Sequence, residues 1–403
     1  MIPLEVEDFV EEFSVWCICM GIGYPGLAQA SRITMVGRAL QAAGCRFRVC
    51  HVGANPLREV PSSGAHEGIP FQYYPEDITY CRSRLARRLV YLRGLRAVLR
   101  EIKSARQKGE KIVVYSWLST NPATVWFRYM LRKLSIPVIT EANEWWPGKL
   151  VHIRRSISVL QSDKLLVIST AIEERFRKMF FGHRIPILKI PILTDVLKVL
   201  PGVTSLETQT GDSFILWCGN AASSPKDISF MLEVMAQVSK AGCASRLVIA
   251  GRTTEQFMRD VRKLIEERNI PDGIIEIAGY LPDEELSRCM SAASGLLLPL
   301  WADEERSVCR FPTKLAEYLA TARPVITSPV GEVGVYLSAG PSAFLCPSGD
   351  VAAYAGAVEK IVQDRRMAAE VGMRGRKVAE ENFDYRTHAN ELLDFFVAGI
   401  RKY

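Results

Sequence analysis

The stretch RFPTKLAEYLATARPVITSPVGEVG, residues 310–334, places chemistry at the start of a helix. Pro312 suits the first helical position, where a missing N–H costs nothing. Leu315, Tyr318 and Leu319 share an i, i+3, i+4 face that can lie on a sheet. Residues 324–327 read as a short buried strand, followed by a turn at 329–331. The first turn of such a helix gathers unpartnered N–H groups and the positive end of the helix dipole, which suits an anion. Lys314 adds a formal charge in that turn. Glu317, one turn further on, can accept hydrogen bonds from vicinal hydroxyls such as those of a ribose. A phosphate grip beside a hydroxyl acceptor is the chemistry of nucleotide binding.

Other stretches carry related chemistry. In WCGNAASSPKDIS, residues 217–229, Gly219 permits a tight exit from a strand. Lys226 stands at the head of the next helix, where it can meet an anion; the alternative is a solvated surface lysine. AGRTT (250–254) and AGYLPDEEL (278–286) both follow apolar runs, and ligands gather at the carboxyl ends of strands in an open parallel sheet. Asp283 is expected to cap the following helix, with Leu286 beginning its apolar face. In TEANEWWPG (140–148), Glu141, Asn143 and Glu144 offer hydrogen-bonding groups to sugar hydroxyls. Trp145 and Trp146 offer flat faces to its C–H surface, the alternative being a structural loop anchored by tryptophans. His51 and His152 read as structural as readily as catalytic.

Elements that would position these residues alternate along the chain, which argues for an α/β fold. Strands are expected at 14–22, 44–52, 112–116, 136–140 and 164–169, with helices at 32–43, 122–134 and 171–179. After a loop at 190–212 the pattern restarts with strands at 214–218, 246–250, 274–277 and 295–299, and helices at 228–241, 254–268 and 283–292.

The chain has 403 residues, enough for two cores, and its composition is that of a soluble globular protein. Ten cysteines at irregular spacings and five scattered histidines give no metal-ligand pattern, so no metal site and a reducing cytoplasm are expected. The first residues are acidic where a signal peptide would be basic, and no apolar run is long enough to span a bilayer. The net charge of +7 is uneven: residues 1–200 carry 29 Lys and Arg against 17 Asp and Glu. Residues 82–111 hold 11 of those cations, with Leu85, Leu89, Leu92, Leu95, Val98, Leu99 and Ile102 at helical spacing. This segment is either a surface for anionic lipid, giving a peripheral membrane protein, or a packed helix with a basic outer face. No nucleic-acid motif accompanies the charge.

The run PTKLAEYLATARPVI resembles the donor-binding signature of the GT-B nucleotide-sugar glycosyltransferases, in particular the retaining glycosyltransferase family 4. The resemblance implies two Rossmann-like doubly wound domains facing a cleft: an acceptor domain at 1–195, a donor domain at 196–384, and a last helix at 385–403 crossing back to the first. It implies that Glu317 binds the donor ribose while the N–H groups of Thr313 and Lys314 cradle the distal phosphate. Lys226 would contact the diphosphate, and the backbone at Tyr280 and Leu281 the nucleobase. Two positions depart from the family's pattern. Cys309 and Asn220 stand where relatives carry a Glu and an Arg, and Arg252 is a candidate to replace the missing charge. A branch of the family shares the loss of that Glu together with an F-P-T-K-L-x-E-Y-L-A run, so Arg310 and Phe311 are expected to shape the sugar pocket, with Cys309 among the donor-binding positions. Gly26 resembles the close-approach glycine of the family's first loop, and Glu141, Asn143 and Glu144 lie where relatives hold an acceptor loop. The activity implied is metal-independent transfer of a hexosyl group from a nucleotide-diphosphate sugar to a glycan or lipid-linked acceptor, with no cofactor, in surface polysaccharide or glycolipid biosynthesis. The alternatives are a catalytically silent partner subunit and a nucleotide-sugar epimerase or hydrolase.

Overall fold

The computed structural model describes residues 13–20, 24, 28–54, 61–75, 83–145, 148–179, 185–199, 213–309, 311–337 and 341–398. Gly26, Arg82, Trp146 and Arg310 lie outside them. The chain divides into two compact units, Met1–Leu193 with Tyr385–Tyr403, and Thr194–Asp384. Both are α/β, each wound around its own sheet, as the alternation of patterns predicts.

The first unit holds β1 (Phe13–Cys19), β2 (Arg46–Val52), β3 (Ser63–His66), β4 (Ile69–Tyr74), β5 (Lys111–Trp117), β6 (Val138–Ala142), β7 (Lys164–Val167) and β8 (Ile187–Lys189). They lie in the order β3-β4-β2-β1-β5-β6-β7-β8, parallel except for the β3–β4 pair. β1 is buried throughout, as a central parallel strand covered on both faces must be. Its alternating side chains enter two cores. Phe13, Val15, Cys17 and Cys19 join one core, with the helices Ala28–Ala42 and Ala389–Val397. Trp16 and Ile18 join the other, under the helices Arg84–Gln107 and Pro122–Lys133.

The β3–β4 hairpin and the helix Lys149–Leu160 are absent from the sequence reading. The hairpin turns through Glu67 and Gly68, both at positive φ, in only two residues. Such a turn has a strong signal only with Asn or Asp before the Gly. The helix follows Gly148 without a side-chain cap, and its apolar residues Ile153, Ile157 and Leu160 face outward rather than into a core.

The second unit holds β9 (Phe214–Cys218), β10 (Arg246–Ala250), β11 (Ile275–Gly279), β12 (Gly295–Leu298), β13 (Val325–Thr327) and β14 (Phe344–Leu345). All pair in parallel, in the order β11-β10-β9-β12-β13-β14. From β9 the chain first builds outward through β10 and β11, then returns to the other side of β9 with β12. The order reverses between β9 and β12, so the strand ends there form the topological switch point, the usual crevice for a ligand. Two helices beyond the sequence reading, Val351–Gln363 and Arg365–Asn382, close the unit.

Candidate functional site

The exits of β9, β10 and β11 are laced together by backbone. Gly219 N–H donates to the Ala250 carbonyl at 3.0 Å, and Gly251 N–H to the Gly279 carbonyl at 2.7 Å. Ala222 N–H reaches the Arg252 carbonyl at 3.2 Å. Gly251 has φ +148°, and a Cβ there would lie 1.7 Å from the Gly219 carbonyl oxygen. Only glycine allows that approach. Beyond the lacing, the Arg252 guanidinium sits 5.9 Å from the centre of the exposed Tyr280 ring, beside half-buried Leu281. The expected capping role of Asp283 is not seen: Pro282 occupies the cap position and Asp283 is the first helical residue. Its carboxylate, with those of Glu284 and Glu285, instead complements the helix dipole from within the first turn.

The helix Thr313–Ala320 docks on the exit of β9. Tyr318, fully buried, accepts a hydrogen bond from Cys218 N–H at 2.8 Å through its hydroxyl, which also lies 3.3 Å from Cys218 Sγ. Pro312 is the cap residue, one position earlier than expected, and no side chain caps the helix. The N–H groups of Thr313 and Lys314 therefore open the helix without intrahelical partners. Lys314 Nζ donates to Glu317 Oε2 at 2.8 Å, each side chain about 30% exposed. Desolvation works against the Lys314 charge, but the Glu317 carboxylate and Cys218 outweigh it and hold the ammonium well above its ordinary range.

Lys226, on the second residue of the helix Pro225–Lys240, meets the loop that leaves β12. Its Nζ lies 3.2 Å from both Asp303 carboxylate oxygens, 3.1 Å from Glu304 Oε1 and 3.9 Å from the centre of the Trp301 ring. Trp301 is fixed by its own N–H bond to Asp227 Oδ1 at 2.7 Å. Desolvation opposes the charge on Lys226, but the hydrogen bonds and charges of Glu304 and Asp303 together raise its pKa. Sequence reasoning missed this acidic loop. The signal was the run Asp303-Glu304-Glu305 directly beyond the apolar strand that begins the second half of the sheet.

Several expectations are corrected. Cys309 is fully buried and Phe311 is 4% exposed, so both face the interior. The Phe311 ring stacks on Tyr336 at 5.5 Å and meets Phe383 edge-on at 5.5 Å, which consumes its surface in the core. Glu141 is likewise enclosed rather than open to a ligand. Its side chain has no exposed surface, bonds Arg32 Nε at 3.3 Å and accepts the Tyr115 hydroxyl proton in a short hydrogen bond. Burial raises its pKa, and Arg32 and Tyr115 pull it back. Arg32 also donates to the carbonyls of Ile190 and Pro191, so the cluster joins the first helix to the segment after β8. Trp145, 3% exposed against Phe176, is a core anchor. Asn143 and Glu144 remain half-buried just past β6, and exposed Asn220 opens the short 3-10 turn after β9.

Comparisons with known proteins bear on the fold and on family likeness. Residues 212–364 match the family model "Glycosyl transferases group 1". The chain is 24% identical to a glycogen synthase of Mycobacterium tuberculosis (strain CDC 1551 / Oshkosh), over 90% of this chain and 89% of that one. Sucrose-phosphate synthase from Thermosynechococcus elongatus has a similar structure, with a TM-score of 0.72 at 18% identity, covering 97% of this chain and 100% of its own. Anabaena HepE, solved in complex with UDP and glucose, gives 0.69 at 13% identity, covering 95% and 99%. These likenesses show the fold, GT-B with two Rossmann-like domains. Among the described residues no helix is long and apolar enough to cross a membrane.

Proposed function

We propose that the protein is a retaining glycosyltransferase of the family 4 type, moving a hexosyl group from a nucleotide-diphosphate sugar to a glycan or lipid-linked acceptor without a metal ion. The observation that carries the reading is the Lys314–Glu317 pair on an uncapped helix start, docked by Tyr318 onto the strand exit beside the switch point.

In this reading Glu317 accepts the ribose hydroxyls, and the Tyr280–Leu281 backbone with the Arg252 guanidinium borders the base and phosphates. As the bond from the anomeric carbon to the phosphate oxygen breaks, charge grows on the leaving diphosphate. The N–H groups of Thr313 and Lys314 and the ammonium groups of Lys314 and Lys226 stabilise it. Lys226 then exchanges Asp303 and Glu304 for phosphate oxygens. The acceptor oxygen bonds the anomeric carbon on the same face, and its proton passes to the leaving phosphate. Asn143, Glu144 and Gly26 are the candidate acceptor-side residues. Because HepE was solved with UDP and glucose, UDP-glucose is the first donor to test. Calorimetry should show saturable binding of UDP-glucose or of another nucleotide sugar from a panel, and product analysis should show the anomeric configuration kept. A protein that binds such donors but forms no product would instead be a silent subunit, and one that binds none would sink the site.

A further inference from the structure

The helix Arg84–Gln107 carries a second surface that the donor chemistry does not use. Gly94 fixes its rotation: a Cβ there would lie 2.3 Å from the Tyr74 carbonyl oxygen, so this side is pressed against the end of β4. Val90, Tyr91, Leu95, Val98, Leu99 and Ile102 are buried on the same side. The opposite side presents Leu85, Leu89, Arg93, Arg96, Arg100 and Lys103, whose spacings of four, four, three, four and three residues align them in one stripe. Leu85 is 68% and Leu89 56% exposed, and the four cations are exposed behind them. The cations border a groove of about 550 Å³ whose other wall is Trp126 and Met130 of the helix Pro122–Lys133, and no acidic residue lines it.

The neighbouring helices extend this pattern. Arg128 of Pro122–Lys133 donates to Ser158 of Lys149–Leu160 at 2.8 Å, so the helices form one layer. Tyr129, Ile153, Ile157 and Leu160 are exposed on it. With Leu85 and Leu89, six of the ten large apolar residues exposed among the described residues lie on these three helices. Such clustering marks an interaction surface rather than scattered exposure.

We propose that this layer docks on a bilayer rich in anionic phospholipid, the Arg93–Arg96–Arg100–Lys103 groove taking headgroup phosphates while Leu85 and Leu89 enter the acyl boundary. Cations and exposed leucines in one stripe match an interface that is charged above and apolar below. A two-fold dimer through this face would set the cationic stripes of two copies against each other. A polyphosphate or nucleic-acid site would give the leucines no role.

The test is co-sedimentation of the full chain with vesicles of phosphatidylcholine alone or mixed with phosphatidylglycerol. Wild-type protein should pellet with the anionic vesicles only and leave them as salt rises. Replacing all four cations, R93Q/R96Q/R100Q/K103Q, should lower partitioning by about 600-fold, near fivefold per cation. L85S/L89S should weaken low-salt binding while the salt response persists. All six side chains are exposed, and an unchanged melting transition confirms that the variants fold. Equal recovery with neutral and anionic vesicles, or unchanged binding by the four-cation variant, would overturn the proposal. So would a dimer in sedimentation equilibrium that L85S/L89S dissolves, or tight binding of inorganic polyphosphate with no vesicle association.

Discussion

Two lysines in the second unit hold their charge against different partners, and those partners set what each can do. Lys314 is tied to Glu317 on its own helix, so a ligand bridging the two receives a cation and an acceptor at fixed spacing. Glu317→Ala should weaken nucleotide-sugar binding by about 1–3 kcal/mol, the range for a hydrogen bond to a charged group whose partner is left behind. Lys226 is held by two carboxylates on a neighbouring loop, so phosphate must compete for it. Lys226→Ala should lower kcat more than affinity, because leaving-group charge is largest in the transition state. Asp303→Asn with Glu304→Gln should tighten diphosphate binding severalfold by freeing the ammonium, as calorimetry would show. Looser binding in that double variant would mean the carboxylates position Lys226 rather than compete for it. At this scale the sequence conveyed residue type but not direction. The expected positions on helices are met: Lys226 and Lys314 stand in the first turns of theirs, and Glu317 one turn beyond Lys314. Glu141 was misread although Ile139, two residues earlier on the same strand face, belongs to the core that receives it. The inward turn of Phe311 had no local signal, since Tyr336 and Phe383 are distant in sequence.

Elements in the second unit were legible where strand and helix patterns are unbroken: Phe214–Cys218, Arg246–Ala250 and Asp283–Ala292 occupy the expected residues. The lacing of strand exits depends on contacts that no window of sequence contains, and Gly251 is its tightest point. Gly251→Ala should cost at least about 2 kcal/mol, from backbone strain and collision with the Gly219 carbonyl. Gly356→Ala, inside the helix Val351–Gln363 with open space around its Cβ, should instead be neutral or stabilising by up to about 1 kcal/mol. Denaturant midpoints for both variants check the contrast, and equal losses would refute it. In the first unit β2 carries a pH-sensitive point. His51 is 1% exposed, stacks 4.2 Å from Tyr73, and neither ring nitrogen has a hydrogen-bond partner among the described residues. Burial lowers its pKa from 6.5 to about 4. The unfolded chain therefore binds this proton first, so the stability of neutral His51 is complete above pH 6.5 and is lost as pH falls towards about 4. The loss amounts to about 3 kcal/mol. His51→Phe keeps the stacking and removes the titration, so the difference in unfolding free energy between variant and wild type should grow across that window. A constant difference would show that His51 takes up its proton as readily in the fold as in the unfolded chain.

The molecule as a whole is two α/β units, and the alternation that announced them is a property of long, periodic segments. Ile69, Phe71 and Tyr73 of β4 do alternate into the core, but over too short a run to stand out, and the periodic residues Ile153, Ile157 and Leu160 of Lys149–Leu160 face outward. Under the proposed function the donor groups fall within one unit. The uncapped helix start, the laced exits and both lysines belong to Thr194–Asp384. A ligand that binds only the native state stabilises it by about 2.7 kcal/mol at a hundredfold excess over its Kd. Amide hydrogen exchange locates where that energy is felt, because protection rises only where opening is suppressed. With saturating UDP, slowed exchange is expected at residues 219–224, 251–252, 279–281 and 313–317, with β1, β2 and β5 of the other unit unchanged. Glu317→Ala should abolish the protection at 313–317 while leaving the nucleotide-free exchange pattern intact, which separates loss of a ligand contact from loss of fold. Protection confined to residues 13–193 would place the nucleotide on the wrong unit and refute the assignment.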